Sequence, residues 1–251
     1  MKFYETDFGG GQLQTDNRAK VNGENDCTVW NGLPLVIFGT SGISKEIKTI
    51  VDEINVGYYS GIFDFLGFVS ESKDEIGRKI GSSYVVCSDA DFEKFIRDFR
   101  QIGVVIPIGT PAIKREIWER IRKYDNLVYP NIISPTAKIM DCSSVKMGVG
   151  NIICSGCILT TEIQMGNFNL ININSTIGHN AKLGNYGVVN PLSSISGDVI
   201  IEDEVLLGAG CAIKQGLTIG KKSIVGLGAI ITKNVFNETV MICQAAQERK
   251  V

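Results

Sequence analysis

A single histidine, His179, occurs in the 251 residues, and charge of neither sign is in excess. The 25 lysines and arginines nearly balance the 27 aspartates and glutamates, which leaves a formal net charge of −2. Without a basic excess the chain lacks the electrostatic field that draws nucleic acid. A run of about eighteen apolar residues, which a membrane-spanning helix needs, is also missing. We therefore expect neither a nucleic acid partner nor a membrane span.

Cysteine is present, but not in the pattern of a disulfide framework. The seven cysteines are odd in number and spread over the chain, which suits free thiols in a reducing compartment. Residues 1–33 lack the charged-then-apolar order of a signal peptide, so we expect a cytoplasmic protein. The one Cys-x-x-Cys pair, Cys154 and Cys157, has no second pair beside it. We interpret this pair as structural filler and predict no metal site.

An aliphatic residue recurs at every sixth position through the second half of the chain. A helix needs spacings of three and four and a half-buried strand a spacing of two, so this period indicates a repeat. We predict a solenoid of short parallel strands with one aliphatic per face in the bore, because stacked coils bury what no single turn can. Glycine or another turn-prone residue often follows the aliphatic, which predicts corners. The positions are Met147, Ile153, Leu159, Met165, Ile171, Ile177, Leu183, Val189, Ile195, Ile201, Leu207, Ile213, Ile219, Val225 and Ile231.

A different pattern precedes the repeat. A buried strand over Leu35–Phe38, a glycine turn over Gly39–Gly42 and a helix over Ser44–Asn55 make the opening of a βαβ unit. This order predicts a small doubly wound parallel sheet, which ends near Val128–Pro135. The further strands are predicted over Phe65–Val69, Tyr84–Cys87 and Gly103–Ile108, and the further helices over Asp91–Arg100 and Ala112–Lys123.

Two glycine loops of this sheet are candidate phosphate-binding elements. Gly39-Thr40-Ser41-Gly42 and Gly109-Thr110 each follow a strand at the same expected carboxyl edge. Backbone N–H groups and helix N-termini at such an edge can hold a phosphate. The competing interpretation is that the glycines only allow close turns.

His179 is the candidate catalytic base. It lies two residues after the inward Ile177, so we expect it on the outer surface of a coil. One coil of eighteen residues further on, Gly197 exposes a backbone N–H at about 5 Å, one strand spacing away. A near-neutral base beside a fixed donor is the arrangement that acyl transfer requires.

Asn180 follows the histidine and lies, by the same register, between Glu162 and Asp198. A carboxylate commonly orients the ring of a catalytic histidine and stabilises the imidazolium. An asparagine brings no charge. Our hypothesis is that Glu162 or Asp198 supplies the missing field.

From about Leu35 onward the chain resembles the sugar O- and N-acetyltransferases of the sialic-acid and bacillosamine type. These hexapeptide-repeat enzymes pair a small nucleotide-binding domain with a left-handed β-helix. The residues that carry the resemblance are Val36-Ile37-Phe38-Gly39-Thr40-Ser41-Gly42, Ile106-Pro107-Ile108-Gly109, Ile133-Ser134-Pro135-Thr136-Ala137 and Ile177-Gly178-His179.

Residues 1–33 are polar and glycine-bearing, and we expect a mobile N-terminal arm or a capping segment there. The resemblance implies two domains and a homotrimer: residues 34–130 would be a Rossmann-like domain that binds nucleotide sugar, and 131–251 an all-β left-handed parallel β-helix with a C-terminal tail. Acetyl-CoA, the co-substrate, would lie in the groove between adjacent β-helices. The acetyl group would pass to an amino or hydroxyl group of a nucleotide-linked sugar in bacterial surface-glycan synthesis, with no covalent enzyme intermediate.

The resemblance also assigns roles to residues of this sequence. The family's catalytic histidine matches His179, with Asn180 beside it, and the amide that holds the acetyl oxygen matches Gly197. The coenzyme-lining stretches match Gly208-Ala209 and Gly226-Leu227, and the sugar nucleotide would contact Gly39, Thr40, Ser41, Gly42, Gly109 and Thr110.

This chain departs from the family pattern at three places. The acidic residue that usually follows the histidine is Asn180. The usual Gly-Gly-His of the first turn is Ser41-Gly42-Ile43, and the usual Gly-x-Pro-Ala-Lys ending is Cys243-Gln244-Ala245-Ala246-Gln247.

Other functions are weighed against this one. A hexapeptide carbonic anhydrase needs three histidines for zinc and is excluded. A sugar nucleotidyltransferase needs a larger catalytic domain with a basic glycine loop, and the helical N-terminal domain of serine acetyltransferase does not match this strand-rich start. Two alternatives stay open: a catalytically impaired sugar-nucleotide-binding or assembly protein, and an O-acetyltransferase acting on a free sugar or another small acceptor.

Overall fold

The computed structural model describes residues 32–57 and 61–244. The arm predicted over residues 1–33 therefore lies almost wholly outside the described residues. The same is true of Ala245, Ala246 and Gln247 in the departing C-terminal motif.

Residues 33–57 and 61–128 form the predicted parallel sheet with helices, which confirms the Rossmann-like expectation. Within the described ranges the sheet has six strands in the order β3-β4-β2-β1-β5-β6, and its pairs are parallel except β3 with β4. The strands are β1 Leu33–Phe38, β2 Phe63–Ser70, β3 Lys79–Ile80, β4 Ser83–Ser88, β5 Ile102–Val105 and β6 Leu127–Val128. The helices are α1 Gly42–Val56, α2 Phe92–Ile96 and α3 Pro111–Ile121, with short 3₁₀ turns at Lys73–Glu75 and Asp89–Asp91.

Four elements differ from the sequence expectation, and one of them is the two-residue edge strand β6, which was not predicted. The strand β5 ends at Val105 and not at Ile108, because Pro107 has no N–H for a ladder and restricts the residue before it. The helix α2 ends at Ile96 and not at Arg100, since the chain tightens into a turn in which Phe99 N–H donates to the Ile96 carbonyl at 3.1 Å. The antiparallel edge strand β3 was not predicted, because two residues carry no readable alternation.

The second part of the chain is a three-faced coil of two-residue parallel strands, as the period of six predicts. The faces are β24-β22-β19-β16-β13-β10-β7, β23-β20-β17-β14-β11-β8 and β21-β18-β15-β12-β9 within the described chain. Their strands are β7 Ile132–Ile133, β8 Lys138–Ile139, β9 Lys146–Met147, β10 Ile152–Ile153, β11 Ile158–Leu159, β12 Gln164–Met165, β13 Leu170–Ile171, β14 Thr176–Ile177, β15 Lys182–Leu183, β16 Val188–Val189, β17 Ser194–Ile195, β18 Ile200–Ile201, β19 Leu206–Leu207, β20 Ala212–Ile213, β21 Thr218–Ile219, β22 Ile224–Val225, β23 Ile230–Ile231 and β24 Val240–Met241.

The stacking register is one coil of eighteen residues. Thr176 and Ile177 pair with Ser194 and Ile195, and these pair in turn with Ala212 and Ile213. The second residue of each strand points into the bore, and Ile177 and Ile195 are at most 1% exposed. The coil also begins earlier than the strict period indicates, because Ile133 and Ile139 already occupy inward positions before a longer turn leads to Met147.

The glycines that follow the inward aliphatics have a different role from the one expected. Positive φ angles lie two residues further on, at every sixth position from Gly150 to Gly228, including Asn180 at 59° and Asp198 at 59°. The glycines directly after the aliphatics are instead required because the backbone of the next coil lies too close for a side chain. A Cβ on Gly178 would lie 2.5 Å from the Gly197 nitrogen. Corner backbones therefore stack without room for a side chain.

The six-stranded sheet is pinned to one edge of the coil, which we call the Phe168 edge (residues 167–169, 185–187 and 203–205). Lys114 of α3 is 1% exposed, and its Nζ donates to the Phe168 carbonyl at 3.0 Å and the Gly187 carbonyl at 3.3 Å. Trp118 packs beside it against Phe168 and Tyr186. Burial lowers the pKa of Lys114 to about 7. The domain contact is therefore built on an amine that loses its proton readily.

Within the described ranges, no helix is both long and apolar enough to cross a membrane.

Replacing Lys114 with methionine will change how stability depends on pH. The pKa of Lys114 is about 7 in the folded chain and 10.5 unperturbed, so between these values the unfolded state holds the proton that the folded state has lost. Stability from this group then rises with pH, by about 1 kcal/mol per pH unit. When the free energy of unfolding is measured with urea from pH 7.5 to 9.5, the value for the wild type should rise relative to that for Lys114→Met by this slope. Lys45→Met, at an exposed position of α1, is the control and should track the wild type. Parallel curves for wild type and Lys114→Met would contradict the burial.

Candidate functional site

His179 lies on an outer corner of the coil, as predicted. The corner joins β14 to β15, and the imidazole is exposed while Ile177 two residues earlier is fully buried. We call this corner the His179 edge (residues 160–163, 178–181, 196–199 and 214–217). Asn180 takes the positive φ that turns the chain, a conformation that asparagine tolerates well. The corner therefore holds His179 on a fixed backbone facing outward.

Gly197 lies directly against the histidine ring. A Cβ built on Gly197 would lie 2.5 Å from His179 Nε2 and 2.9 Å from Nδ1, and it would also strike Cε1. The imidazole therefore rests on bare backbone, in space that any larger residue would take. The sequence register predicted this neighbourhood, and the structure brings the two residues together.

The backbone N–H of Gly197 donates to no acceptor in the described chain. Its neighbours are both engaged, since Ser196 N–H donates to the Ile213 carbonyl at 3.2 Å and Asp198 N–H to the His179 carbonyl at 2.8 Å. On the Phe168 edge the matching N–H of Asn167 and of Asn185 is held by the side chain one coil further on, Asn185 or Asp203. The His179 edge thus has a free donor beside the imidazole where another edge fills the same position.

The His179 edge also carries two carboxylates, those of Asp198 and Glu162, one coil on either side of Asn180. Asn180 Nδ2 donates to Asp198 Oδ1 at 3.0 Å, and Gln215 Nε2 donates to Asp198 Oδ2 at 2.8 Å. These two hydrogen bonds, and then the charge of His179, lower the pKa of Asp198. The carboxylate of Glu162, one coil before Asn180, has no hydrogen bond or ion pair in the described chain. Gln215 was missed in the sequence because its link to Asp198 depends on side-chain direction.

The residues matched to the coenzyme lie on a different edge. Gly208-Ala209 follow β19 and Gly226-Leu227 follow β22, and these strands pair so that a Cβ on Gly208 would lie 2.6 Å from Leu227 N. We call this corner the Gly208 edge (residues 190–192, 208–210 and 226–228). It borders one side of the six-stranded coil face, and the His179 edge borders the other. The structure therefore groups the four residues with one another but not with His179.

The two glycine loops meet at the carboxyl edge of the sheet. The strands β1 and β5 pair through Ile37 and Val105, and a Cβ on Gly39 would lie 3.2 Å from Ile108 Cδ1. Gly39 has a φ of 87°, which favours glycine. Ser41, Gly42, Gly109 and Thr110 are exposed around the same opening.

Both helices that start at these loops have uncapped N-termini. Ser41 before α1 and Thr110 before α3 make no capping hydrogen bond through their side chains, and neither helix has an acidic residue in its first turn. In the described chain, two adjacent helix starts thus present N–H groups that lack a side-chain cap, together with the positive ends of two helix dipoles. Such a pair favours an anion.

Glu75 also faces the first glycine loop, and sequence analysis missed it. Thr40 Oγ1 donates to Glu75 Oε2 at 3.4 Å, Ser70 Oγ donates to the same oxygen, and Arg78 pairs with Oε1 at 2.9 Å. The Ser70 hydrogen bond is the main reason that the pKa of Glu75 is lowered. The residue lies five positions after β2 with no motif around it, so no sequence signal marked it.

A groove of about 890 Å³ lies elsewhere, over the five-stranded coil face. Lys146, Lys182 and Lys221 line it together with Glu202 and Asp203, and neither His179 nor Gly197 borders it. This groove and the candidate chemistry therefore lie in different places on the chain. We place more weight on the His179 edge, because it holds the base and a free donor together.

Cys154 and Cys157 are buried in the coil. Burial raises the pKa of Cys154 to about 12 and that of Cys157 to about 11. Cys157 Sγ lies 3.0 Å from the Asn172 carbonyl. These thiols stay protonated at neutral pH, so they pack and do not react.

Comparison with solved structures gives a common fold over most of the chain. WeeI from Acinetobacter baumannii AYE is 26% identical, with a TM-score of 0.72 over 83% of this chain and 95% of that one. PerB from Caulobacter crescentus, solved with CoA and GDP-perosamine, is 22% identical with a TM-score of 0.72 over 82% and 92%. The acetyltransferase domain of PglB from Neisseria gonorrhoeae FA1090, solved with acetyl coenzyme A, is 19% identical with a TM-score of 0.72 over 83% and 95%. The left-handed β-helix with a small α/β domain is thereby confirmed.

Comparison with curated proteins finds shorter matches. A 2,3,4,5-tetrahydropyridine-2,6-dicarboxylate N-acetyltransferase of Staphylococcus aureus (strain bovine RF122 / ET3-1) is 51% identical over 43 residues. The match spans 17% of this chain and only 18% of that relative. No family model matches the chain. Proteins named acetyltransferases thus recur in both comparisons.

Replacing Gly197 with alanine will displace the imidazole. The added methyl group would overlap the ring, which is the free end of an exposed side chain, so we expect the ring to move to a new position at little cost in stability. Because His179 is the only histidine, an untagged ¹³C-labelled protein gives one imidazole Cε1–Hε1 signal, which should move. Ser196→Ala, one residue away, is the control and should leave the signal in place. An unmoved signal in Gly197→Ala would contradict the ring contact.

Proposed function

Since the chain has the fold of the left-handed β-helix sugar acetyltransferases that its sequence resembles, we propose that it transfers an acetyl group from acetyl-CoA to an amino or hydroxyl group of a nucleotide-linked sugar. The observation that carries the proposal is the contact between His179 and Gly197, whose N–H donates to no acceptor among the described residues. We propose His179 as the general base and Gly197 N–H as the donor to the acetyl oxygen.

In this mechanism the acceptor attacks the thioester directly. His179 takes the proton from the amine or hydroxyl as a bond forms between the acceptor atom and the acetyl carbonyl carbon. Negative charge develops on the acetyl oxygen, where Gly197 N–H stabilises it. The carbon–sulfur bond then breaks, and the proton held by the imidazolium passes to the departing thiolate. Neither a covalent enzyme intermediate nor a metal takes part in this proposed reaction.

We propose that the coenzyme is bound between two chains of a homotrimer. The Gly208 edge and the His179 edge border opposite sides of one coil face, so a coenzyme that touches both groups of residues is most simply shared with a neighbouring chain. Leu227 on the Gly208 edge is 73% exposed, which leaves an apolar surface for such a contact. The CoA and acetyl coenzyme A in the structures of PerB and the PglB domain support this choice of co-substrate.

We assign the nucleotide-sugar phosphates to the two glycine loops of the sheet. Their support is the pair of uncapped helix N-termini at Ser41 and Thr110, which favours an anion. The GDP-perosamine bound to PerB is consistent with a sugar nucleotide as acceptor. The cytoplasmic location and the place in surface-glycan synthesis stay predictions.

A catalytically impaired sugar-nucleotide-binding protein is the second candidate. One observation favours it: Asn180, which is held by Asp198, gives the histidine no charge of its own. The same hydrogen bond also holds the Asp198 carboxylate on the His179 edge, and this favours the acetyltransferase over the binding protein.

Removing the imidazole will slow turnover severely and spare coenzyme binding. CoA thiol release is measured over a panel of amino- and hydroxy-sugar nucleotides for wild type, His179→Ala and His179→Gln. We expect both variants to lose about 10²- to 10⁴-fold in kcat. Acetyl-CoA affinity by calorimetry and the unfolding midpoint should stay near the wild-type values, because His179 is exposed. Wild-type binding of sugar nucleotide without thiol release would favour the binding protein, and full activity in His179→Ala would refute the proposed base.

A further inference from the structure

Asp198 is held in place from both sides by neutral donors. Asn180 comes from the coil before and Gln215 from the coil after, and each donates to one carboxylate oxygen. In the described chain Asp198 has no lysine or arginine within ion-pair distance. Amide donors fix the direction of a carboxylate but leave its negative charge uncompensated. That charge is therefore available to a nearby cation.

The candidate cation is protonated His179, whose charge contributes, after the two amide hydrogen bonds, to the lowered pKa of Asp198. Asp198 N–H donates to the His179 carbonyl at 2.8 Å, and Gly197 between them carries the ring on its bare backbone. The other charged residues of this edge and its flanking strands are Glu162, Lys182 and Lys214. The two lysines oppose a positive imidazole, so the carboxylates alone can favour it.

Geometry distinguishes the two carboxylates. Glu162 and Asp198 lie one coil on either side of Asn180, and both take the positive φ of the corner. Only Asp198 has its side chain fixed, whereas the Glu162 carboxylate makes no hydrogen bond in the described chain. A charge that is already fixed can stabilise the transition state without the free-energy cost of first ordering its side chain.

We propose that Asp198 is the positioning acid of this site, held by Asn180 and Gln215 so that its charge stabilises the imidazolium that forms on His179. The role rests on the proposed acyl transfer. Asp198 acts through His179 and not on the substrate. The charge that an acidic residue after the histidine would bring is thus supplied from the next coil, and Asn180 becomes its support.

The lone histidine allows a test that needs no substrate. The imidazole Cε1–Hε1 signal of untagged protein is followed from pH 4.5 to 9 in wild type, Asp198→Asn and the matched control Glu162→Gln. Loss of the carboxylate makes protonation harder, so we expect the Asp198→Asn midpoint to move about 0.5 to 1 pH unit lower. Glu162→Gln should move it by far less. An unmoved midpoint in Asp198→Asn, or equal shifts in both variants, would overturn the proposal. Asp198→Glu should restore part of the shift if the charge is responsible, and an unrestored midpoint in a folded Asp198→Glu would count against it.

Kinetics then separates this role from the proposed function. In an active wild type, Asp198→Asn should lower kcat/KM by about threefold to tenfold, and the acidic limb of its pH profile should follow the NMR midpoint. A wild type that turns over while Asp198→Asn changes neither quantity would overturn the positioning role and keep the acetyltransferase. A midpoint shift in a protein without turnover on any acceptor would overturn the catalytic role along with the proposed function.

Discussion

The stacking of one coil on the next is the constraint on which the rest of the molecule depends. Each two-residue strand pairs with the strand eighteen residues later, and the inward aliphatic of each pair closes the bore. Because corners then meet corners, every position on the outer surface has a fixed neighbour one coil away. The glycines after the aliphatics belong to the same constraint, since Gly178 has only the backbone of Gly197 beyond it.

The three edges of the coil differ in what this stacking places on them. The Phe168 edge receives α3, with Lys114 buried against main-chain carbonyls. The His179 edge holds the imidazole, a free N–H and a fixed carboxylate. The Gly208 edge carries the residues that match the coenzyme-lining stretches of the acetyltransferases that the sequence resembles, and Leu227 on it is exposed. In our account one repeating backbone therefore separates domain attachment, proton transfer and coenzyme binding in space, and a neighbouring chain reunites the last two.

The period of six was the part of the sequence that predicted both the fold of the coil and the location of the candidate site. A strict period of six gave the coil, its inward residues and the neighbourhood of His179 and Gly197, because a solenoid converts residue counts into contacts. The period does not specify the direction of side chains. It therefore offered Glu162 and Asp198 as equal candidates for the charge near His179, and it did not predict the hydrogen bond from Gln215 to Asp198. Glu75 could not be predicted from the sequence for another reason. Its contacts with Thr40 and Ser70 join separate segments of the chain, and no sequence motif marks them. Two-residue strands such as β3 are too short to carry a pattern of their own.

The central claim, that the base and the coenzyme edge act together across two chains, is tested most directly by mixing inactive subunits. Two differently tagged variants, His179→Ala and Ala209→Trp, are coexpressed, and mixed oligomers are isolated through both tags. In a cyclic trimer that contains both variants, about one third of the sites combine an intact base with an intact coenzyme edge. If the site is shared, thiol release in the mixed oligomers should recover to that order of the wild-type rate, while each variant alone stays inactive. Mixed oligomers as inactive as the single variants would contradict a site shared between chains.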